Sequence, residues 1–473
     1  MSTRSRSLAW LQFLVALLVL VWGAAGRASP QELHQVSGSV FSFSPLPWQS
    51  PFRYGPFDKL SPDARFARLM ARFRERLQTK HVPGGSVAIV LDGHLAYSAG
   101  VGLLRSEGEA RVSAHSRFLT ASLSKMVLAA TIMSLAERDG LVLDQPLKAE
   151  LPYFARGDGY DPSLVTLRTL LDHTSGVPDT GDPRPLPLRA LIEAHATDPL
   201  LSPPGRLFNY SNAGYALLAA AVEARTARPF EQVVAERIFG PCSMRDAGYD
   251  LGRAPQRVCA GHDASGKVIW SRPSDSSAAH AAGGVIASVV DFAHFAEMLL
   301  ARGGSVLSTA SVDAMMEGHA LAQDEPKRTY GYGLFASEHA GLPIIEHAGS
   351  AAGFSSLVRL VPSRNFAVVV FDNGPFAPDE LADAAMSAFL DVPEVPRARV
   401  QTLPESWEEY VGRYGDAVGA LGEFEIALRG GHLWFERKAG RPLPSTLRGR
   451  FERDASGKIQ YFVTRMGVAE RRP

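Results

Sequence analysis

The spacing of apolar residues changes several times along the chain, and each change marks a predicted element. Helical spacing predicts a helix over Ser61–Thr79. The next stretch, SVAIVLDGHLAYSAG, alternates as strands do and contains an Asp92-Gly93 pair, which is typical of a hairpin turn. Three more helices are predicted: one from Ala121 to Gly140, one from about Ala213 to Arg225, and one over SVVDFAHFAEMLLARGG.

Strands return late in the chain. The stretch SSLVRLVPSRNFAVVVFDN contains two β-rich runs around a turn at residues 362–365. Strands lie near both ends of this region, with mostly helices and loops between them, so we predict one antiparallel sheet built from distant segments. The expected fold class is α+β, with helices packed against the sheet, over residues 61–390.

The composition changes after this domain. Residues 391–403 belong to DVPEVPRARVQTLPES, a stretch with three prolines and few apolar residues, which favours a linker. From residue 404 to 473, alternating stretches such as EFEIALRGGHLWFE return, with a turn near Ser456-Gly457. This part of the chain is predicted to be a small all-β domain.

The N-terminus has a different pattern, in which Arg4 and Arg6 precede a long apolar run and small residues up to Ala28. This order predicts a secretory signal peptide over residues 1–28, cleaved after Ala28, or else an uncleaved membrane anchor. Both alternatives predict export: to the periplasm or the medium, or anchored and facing outward. The anchor would be the only membrane contact. Residues 29–60 are predicted to be an irregular lead-in.

Charge and cysteine content narrow the choice of partners. Lys plus Arg and Asp plus Glu both total 49, so the formal net charge is zero and no basic region predicts nucleic-acid binding. Cys242 and Cys259 are the only cysteines, and after export they form either a disulfide or two buried free thiols. No Cys/His spacing predicts a metal site, and no motif predicts a cofactor.

One lysine is unexpected in the apolar helix that starts at Ala121. Lys125 follows Ser122 by three residues, so both side chains lie on one face of a helix. Burial disfavours an ammonium, and a lysine that has lost its proton can take one from a serine hydroxyl and make it a nucleophile. The alternative is a capping serine and a lysine that extends to solvent.

A second motif, Tyr210-Ser211-Asn212, lies in a loop just before an apolar helix. A phenol can move protons, and an amide can hold a lysine and a substrate carbonyl together. The alternative is a packed aromatic ring at Tyr210 and a helix cap at Asn212.

A third motif, His347-Ala348-Gly349, lies in a predicted strand before a loop of small residues. Glycine lets a substrate lie close to the backbone, and the N–H of Ser350 can complete an oxyanion hole with that of Ser122. The alternative is a histidine that flanks a turn in a polar loop.

Together and in this order, the S-x-x-K, Y-x-N and H-x-G motifs resemble those of the serine β-lactamase and penicillin-binding protein superfamily. The linking stretches TLRTLLDHTSGVPD, PPGRLFNYSNAGYALLAAAVE and AAGGVIASVVDFAHFAEMLL are also similar, most of all to the class C-like branch with its D-aminopeptidases, D-peptidases and esterases. The resemblance covers residues 60 to 390. The C-terminal β domain is similar to the lipocalin-like modules of some peptidases in this branch.

The resemblance implies a role for each motif residue and no cofactor. The implied catalytic residues are Ser122 as the acylated nucleophile, Lys125 as its activator, and Tyr210 as the proton relay. The implied substrate-binding residues are Asn212, His347, Gly349 and Ser350, with the N–H groups of Ser122 and Ser350 in the oxyanion hole.

One position departs from the β-lactamases of this superfamily, whose third motif is K-T-G. His347 stands where that lysine supports binding of the drug's carboxylate, and a histidine is only partly charged near neutral pH. We therefore expect a hydrolase of D-amino-acid peptides, amides or small esters, with β-lactamase activity weak or absent. The alternatives are a non-catalytic protein that binds peptide or cell-wall fragments, and a class C-type β-lactamase.

Three residues outside the motifs are given structural roles. His173 in LLDHTSG is expected to support the fold, and Asp172 and Asp179 are expected to serve turns.

Overall fold

The computed structural model describes residues 35–37, 40–42, 61–157, 159–179, 186–252, 254–273, 276–322, 328–376, 378–394, 408–415, 423–429, 432–437, 449–454, 456–464 and 467–472. The predicted signal segment 1–28, most of the lead-in and residues 395–403 of the predicted linker lie outside them. Within the described residues, none of the helices is both long enough and apolar enough to cross a bilayer.

The described strands form one large sheet, a C-terminal sheet and three short pairs. In chain order they are β1 Gln35–Ser37, β2 Val40–Ser42, β3 Gly84–Leu91, β4 His94–Gly102, β5 Phe118–Leu119, β6 Gly261–His262, β7 Val268–Trp270, β8 Ile286–Ala287, β9 Ala320–Leu321, β10 Thr329–Tyr330, β11 Phe335–His339, β12 Leu342–Ala351, β13 Phe354–Val361, β14 Phe366–Asp372, β15 Gly412–Gly415, β16 Glu423–Arg429, β17 His432–Arg437, β18 Gly449–Arg453, β19 Ile459–Thr464 and β20 Gly467–Arg471.

The helices lie mainly between β4 and β9, as the sequence predicts, with one before the large sheet and one after it. They are α1 Pro62–Thr79, α2 Ser124–Arg138, α3 Leu167–Leu171, α4 Leu188–Ala194, α5 Asn212–Thr226, α6 Phe230–Val234, α7 Ser277–Gly283, α8 Val289–Leu300, α9 Thr309–Met316 and α10 Pro378–Leu390.

The large sheet is antiparallel throughout, in the order β4-β3-β14-β13-β12-β11-β10-β9. Strand β3, the second of the eight, pairs with β14, the third, which joins the two ends of the domain within one sheet. Alternate residues of β14 face two different cores: Val369 packs with α2 and α8, whereas Val368 packs with α1 and α10. Helices thus cover both faces, which explains the unbroken apolar run FAVVVF and confirms the predicted α+β class.

The first hairpin has the turn that its sequence predicts. Strands β3 and β4 are joined by Asp92 and Gly93, whose φ angles of 53° and 82° are both positive. Positive φ at both turn positions matches the right-handed twist of the flanking strands, and aspartate followed by glycine adopts it at low cost.

Short strand pairs are the main feature that the sequence pattern did not predict. The lead-in contains the β1–β2 hairpin, so it is not irregular throughout, and the helical middle contains the pairs β5–β8 and β6–β7. These strands have only two or three residues each. Such short segments cannot establish the alternation of apolar and polar residues by which strands are recognised.

A buried ion-pair network ties the sheet to α10. The Arg359 guanidinium on β13 is fully buried and pairs with Glu346 on β12 at 2.7 Å. It also pairs with Asp379, at 3.3 Å, and with Asp383, both on α10. A buried cation is tolerated only with such partners. Because Glu346 directly precedes His347, the network fixes β12 at the start of the third motif.

The described strands of the C-terminal part form one antiparallel sheet in the order β17-β16-β15-β20-β19-β18, which is compatible with the predicted all-β domain. The sheet packs on the larger domain through Tyr461, which contacts Leu207 and whose hydroxyl lies 2.6 Å from that of Tyr160. Since Leu207 is three residues before Tyr210, this sheet contacts the loop that carries the second motif. The lipocalin likeness of this domain stays a prediction.

Of the two alternatives for the cysteines, the structure has free thiols, and the disulfide is wrong. Cys242 and Cys259 both pack as small apolar groups in the core that α2, α5 and α8 share. Burial raises the pKa of Cys242 to about 12 and raises that of Cys259 well above its usual range, because a thiolate would lose its hydration.

Candidate active site

Ser122 lies on a tight turn rather than within a regular helix. Residues Ala121–Leu123 form a 3-10 turn that leads into α2, and Ala121 has a φ of +48°. A left-handed alanine costs on the order of 1 kcal/mol, so its surroundings must hold it in place. Ser124 does this by donating to the Ala121 carbonyl at 2.7 Å and accepting the Val285 N–H at 3.0 Å.

This turn presents Ser122 to the site. The side chain is half-buried, and its N–H belongs to the first turn of the helical segment, where helix hydrogen bonding leaves N–H groups unpaired. The prediction of a continuous helix from Ala121 is therefore wrong, because α2 starts at Ser124.

Lys125 is fully buried beside Ser122, the predicted nucleophile. Its ammonium donates to the Asn212 side-chain oxygen at 2.7 Å, to the Ala282 carbonyl at 2.7 Å and to the Ser122 hydroxyl at 3.4 Å. These three acceptors match its three N–H groups, which is what a buried ammonium requires. The snorkelling alternative is wrong, because the side chain extends into the protein and not to solvent.

Tyr210 and Asn212 reach Lys125 from the start of α5. The Lys125 Nζ lies 4.8 Å from the centroid of the Tyr210 ring, which is half-buried. The helix cap is Ser211, whose hydroxyl accepts the Gly214 N–H at 2.9 Å. The capping alternative for Asn212 is therefore wrong, and its side chain contacts Lys125 instead.

The third motif lies on β12, where this strand passes the Ser122 turn. A methyl group on Gly349 would come within 2.4 Å of the Thr120 carbonyl oxygen and 3.0 Å of the Ser122 nitrogen. Only glycine permits this approach, because any side chain at position 349 would clash with the Ser122 turn. Ser350 follows it and is exposed. The oxyanion-hole role of the Ser122 and Ser350 N–H groups stays a prediction.

His347 is buried beneath the strand and not free in the cleft. Its Nε2 lies 3.1 Å from the Tyr330 hydroxyl, and its Nδ1 lies 2.7 Å from the Ala348 carbonyl oxygen. Both ring nitrogens thus have protein partners. The pairing of β11 with β12 ends at Glu346, so the β12 edge continues beyond β11 toward Ser122.

Neutral aromatic groups surround the Lys125 ammonium. Burial raises the pKa of Tyr215 and of Tyr330, which keeps both phenols protonated. Burial also lowers the pKa of His173 far below its usual value, and the nearby Lys125 lowers it further. The neutral His173 ring lies 4.3 Å from that of Tyr210.

His173 supports the second motif, as its expected structural role requires. Its Nδ1 accepts the Ser211 N–H at 3.1 Å, and its own carbonyl accepts the Asn209 N–H at 2.7 Å. Its φ of +61° is unusual for a histidine and aims the ring at Tyr210.

Asp179 is a site residue that the sequence analysis assigned to a turn. Its carboxylate accepts a hydrogen bond from the Asn212 side-chain nitrogen at 2.8 Å and also bonds the backbone N–H groups of Asn212 and Ala213. Burial raises the pKa of Asp179, and the facing Lys125 opposes that rise. The prediction for Asp172 is confirmed, since it accepts the Thr174 N–H and hydroxyl within one turn.

The geometry therefore brings together the residues of all three motifs: a hydroxyl, a buried amine, a phenol and an open strand edge. Such a set can form and hydrolyse an acyl intermediate without a metal. Within the described part of the chain, no cluster of three His, Cys, Asp or Glu side chains is placed to hold a metal ion.

Known proteins share this fold. Penicillin-binding protein 4 of Amycolatopsis lactamdurans is 29% identical over 391 residues, which are 77% of this chain and all of that protein. The crystal structure of SurE with D-Leu has a TM-score of 0.68 at 23% identity and covers 87% of this chain and 100% of its own. A D-stereospecific amidohydrolase from Streptomyces has a TM-score of 0.56 at 23% identity and covers 68% of this chain and 99% of its own.

The family match covers most of the larger domain. The family model described as Beta-lactamase matches residues 67–391, which include all three motifs and more than half of the chain. The sequence resemblance is thus confirmed at the level of the family, and the chain belongs to the beta-lactamase family.

Proposed function

We propose that this beta-lactamase-family serine hydrolase is an exported enzyme that forms an acyl-enzyme on Ser122, with D-amino-acid peptides, amides or small esters as substrates. The observation that carries the proposal is the contact between the buried Lys125 amine and the Ser122 hydroxyl. A structural role explains that contact poorly, because a buried lysine is costly and an apolar side chain would pack as well.

Acylation follows from the positions of the groups. As a free amine, Lys125 keeps its two short N–H bonds to Asn212 and Ala282, and its lone pair takes the Ser122 Oγ proton as the oxygen attacks the substrate carbonyl carbon. The carbonyl oxygen becomes an oxyanion beside the unpaired N–H of Ser122 and, in the proposed arrangement, that of Ser350. Asn212 holds Lys125 in place through its side-chain oxygen during this step.

Tyr210 completes the turnover. Its ring lies beside Lys125, and in the proposed mechanism its phenol relays the proton taken from Ser122 to the leaving amine or alcohol. Loss of that group leaves an ester on Ser122. A water molecule, deprotonated by the same pair, then attacks the ester and releases the acid.

The substrate class is inferred from His347 and from relatives. A β-lactam carboxylate would have to displace the Tyr330 hydroxyl or the Ala348 carbonyl from the His347 ring, which disfavours its binding. The SurE structure is a complex with D-Leu and the amidohydrolase is D-stereospecific, and we extend this D-preference to the present chain by analogy. Export is proposed from Arg4, Arg6 and the apolar run that follows.

Labelling with a fluorophosphonate tests the nucleophile directly. The Ser122 oxygen should displace fluoride and form one P–O bond, which intact-protein mass spectrometry detects as a single adduct. Ser122→Ala should give no adduct, while Ser134→Ala, near the other end of α2, should keep it. An unlabelled but folded wild-type protein would favour the binding alternative.

Paired substrates test the proposed specificity. We expect D-alanine p-nitroanilide to be cleaved at least about tenfold faster than its L-isomer. Nitrocefin should be turned over poorly, because both ring nitrogens of His347 already have protein partners. The measurement is kcat/KM for all three compounds. Equal rates for the two isomers, or nitrocefin as the best substrate, would contradict this specificity.

Gly349→Ala tests the approach of β12 to the nucleophile. The added methyl group would overlap the Thr120 carbonyl, so the strand must move away and acylation should slow by about 100-fold. Gly108→Ala is the matched control, since its methyl group would meet nothing closer than 3.6 Å. Equal labelling rates for both variants would contradict the close approach.

A further inference from the structure

The Asn212 amide can be held in two orientations that have the same shape. In one, its oxygen faces the Lys125 Nζ, and in the other its nitrogen does. Only the first orientation gives the ammonium an acceptor, because an amide nitrogen only donates. A residue that distinguishes the two ends of this amide would therefore control whether Lys125 is held.

Asp179 is placed to make that distinction. A carboxylate only accepts hydrogen bonds, and it lies 2.8 Å from the nitrogen end of the Asn212 amide. Lys125 lies 2.7 Å from the oxygen end and only donates. The acceptor on one side and the donor on the other favour the same orientation, so the order Asp179, Asn212, Lys125 has one consistent set of hydrogen bonds.

The Asp179 carboxylate is also the charge that faces the Lys125 ammonium across this amide. The acceptors that Lys125 touches directly, the Asn212 oxygen, the Ala282 carbonyl and the Ser122 hydroxyl, are all neutral. A negative charge one amide away therefore attracts the Lys125 side chain toward Asn212 while it is protonated, and the hydrogen bond to Asn212 keeps it there as the free amine.

Helix capping alone does not account for this contact. The carboxylate bonds the Asn212 and Ala213 N–H groups at the start of α5, yet Ser211 already caps that helix. Capping of α5 requires no bond to the Asn212 side chain. The hydrogen bond from the Asn212 side-chain nitrogen to Asp179 therefore has another role, which is to orient the amide in the site.

We propose that Asp179 is a positioning residue for acylation: it orients the Asn212 amide, and through it holds Lys125 against Ser122. This inference rests on the proposed function. It predicts that Asp179 acts only while the Asn212 amide is present, which separates positioning from a general effect on stability.

The test is a double-mutant cycle on the fluorophosphonate labelling rate of the full chain. We expect Asp179→Ala to label about 10- to 100-fold more slowly than wild type, since small displacements of catalytic groups have effects of this size. Asn212→Ala should slow labelling at least as much. The double variant should match Asn212→Ala within about twofold, because the two residues act as one unit.

Two further variants separate positioning from folding. Asp179→Asn keeps the size and one acceptor oxygen, so it should fold and label at an intermediate rate. Asp291→Ala removes another buried helix-capping carboxylate, whose partners are Ser288 and the Asp246 N–H, and should lower thermal stability without slowing labelling. For ester hydrolysis, Asp179→Ala should lower kcat and leave KM nearly unchanged.

Each outcome decides a different claim. If the wild-type protein is labelled and Asp179→Ala is labelled at the same rate, this inference alone is overturned. The same holds if the rate losses of the two single variants multiply in the double variant. An equal loss in Asp291→Ala would also overturn it. If folded wild-type protein carried no adduct on Ser122, the proposed function would fall and this inference with it.

Discussion

A buried ammonium must have an acceptor for each of its N–H groups, and the candidate active site is arranged around that requirement. Lys125 is fully buried and obtains its acceptors from three separate elements: the Ser122 turn, the start of α5 and the carbonyl of Ala282 on α7. These segments are far apart in the chain, so the lysine also brings them together. A group that would otherwise destabilise the core thus defines the geometry of the site.

Other parts of the fold hold these elements in place from outside. The segment with His173 and Asp179 bonds the backbone and the side chain of the second motif, and the C-terminal sheet packs on the same loop through Leu207. On the opposite side, Gly349 lets β12 approach the Ser122 turn, and the Arg359 network fixes that strand against α10. The proposed chemistry needs all of these contacts, because a reacting hydroxyl must be placed to within a fraction of an ångström.

Local sequence patterns predicted much of the fold and the three motifs of the candidate site. The first hairpin, the sheet class and the helices have short-range signals, and Lys125 was recognisable because an ammonium is out of place in an apolar helix. What could not be predicted depends on long-range packing. The Asp179–Asn212 bond spans 33 residues, from a loop to the start of α5, and the Ala282 acceptor is a backbone carbonyl. Nothing in the sequence distinguishes the left-handed Ala121 from any helical alanine.

The central claim is that Lys125 is buried in order to activate Ser122. The most direct measurement is the rate at which a fluorophosphonate labels Lys125→Met, a variant that keeps the length of the side chain and removes the amine. The account predicts a folded protein whose Ser122 is labelled about 10²- to 10⁴-fold more slowly than in wild type, the usual contribution of a general base. Labelling at the wild-type rate would contradict it and leave the buried lysine with a purely structural role.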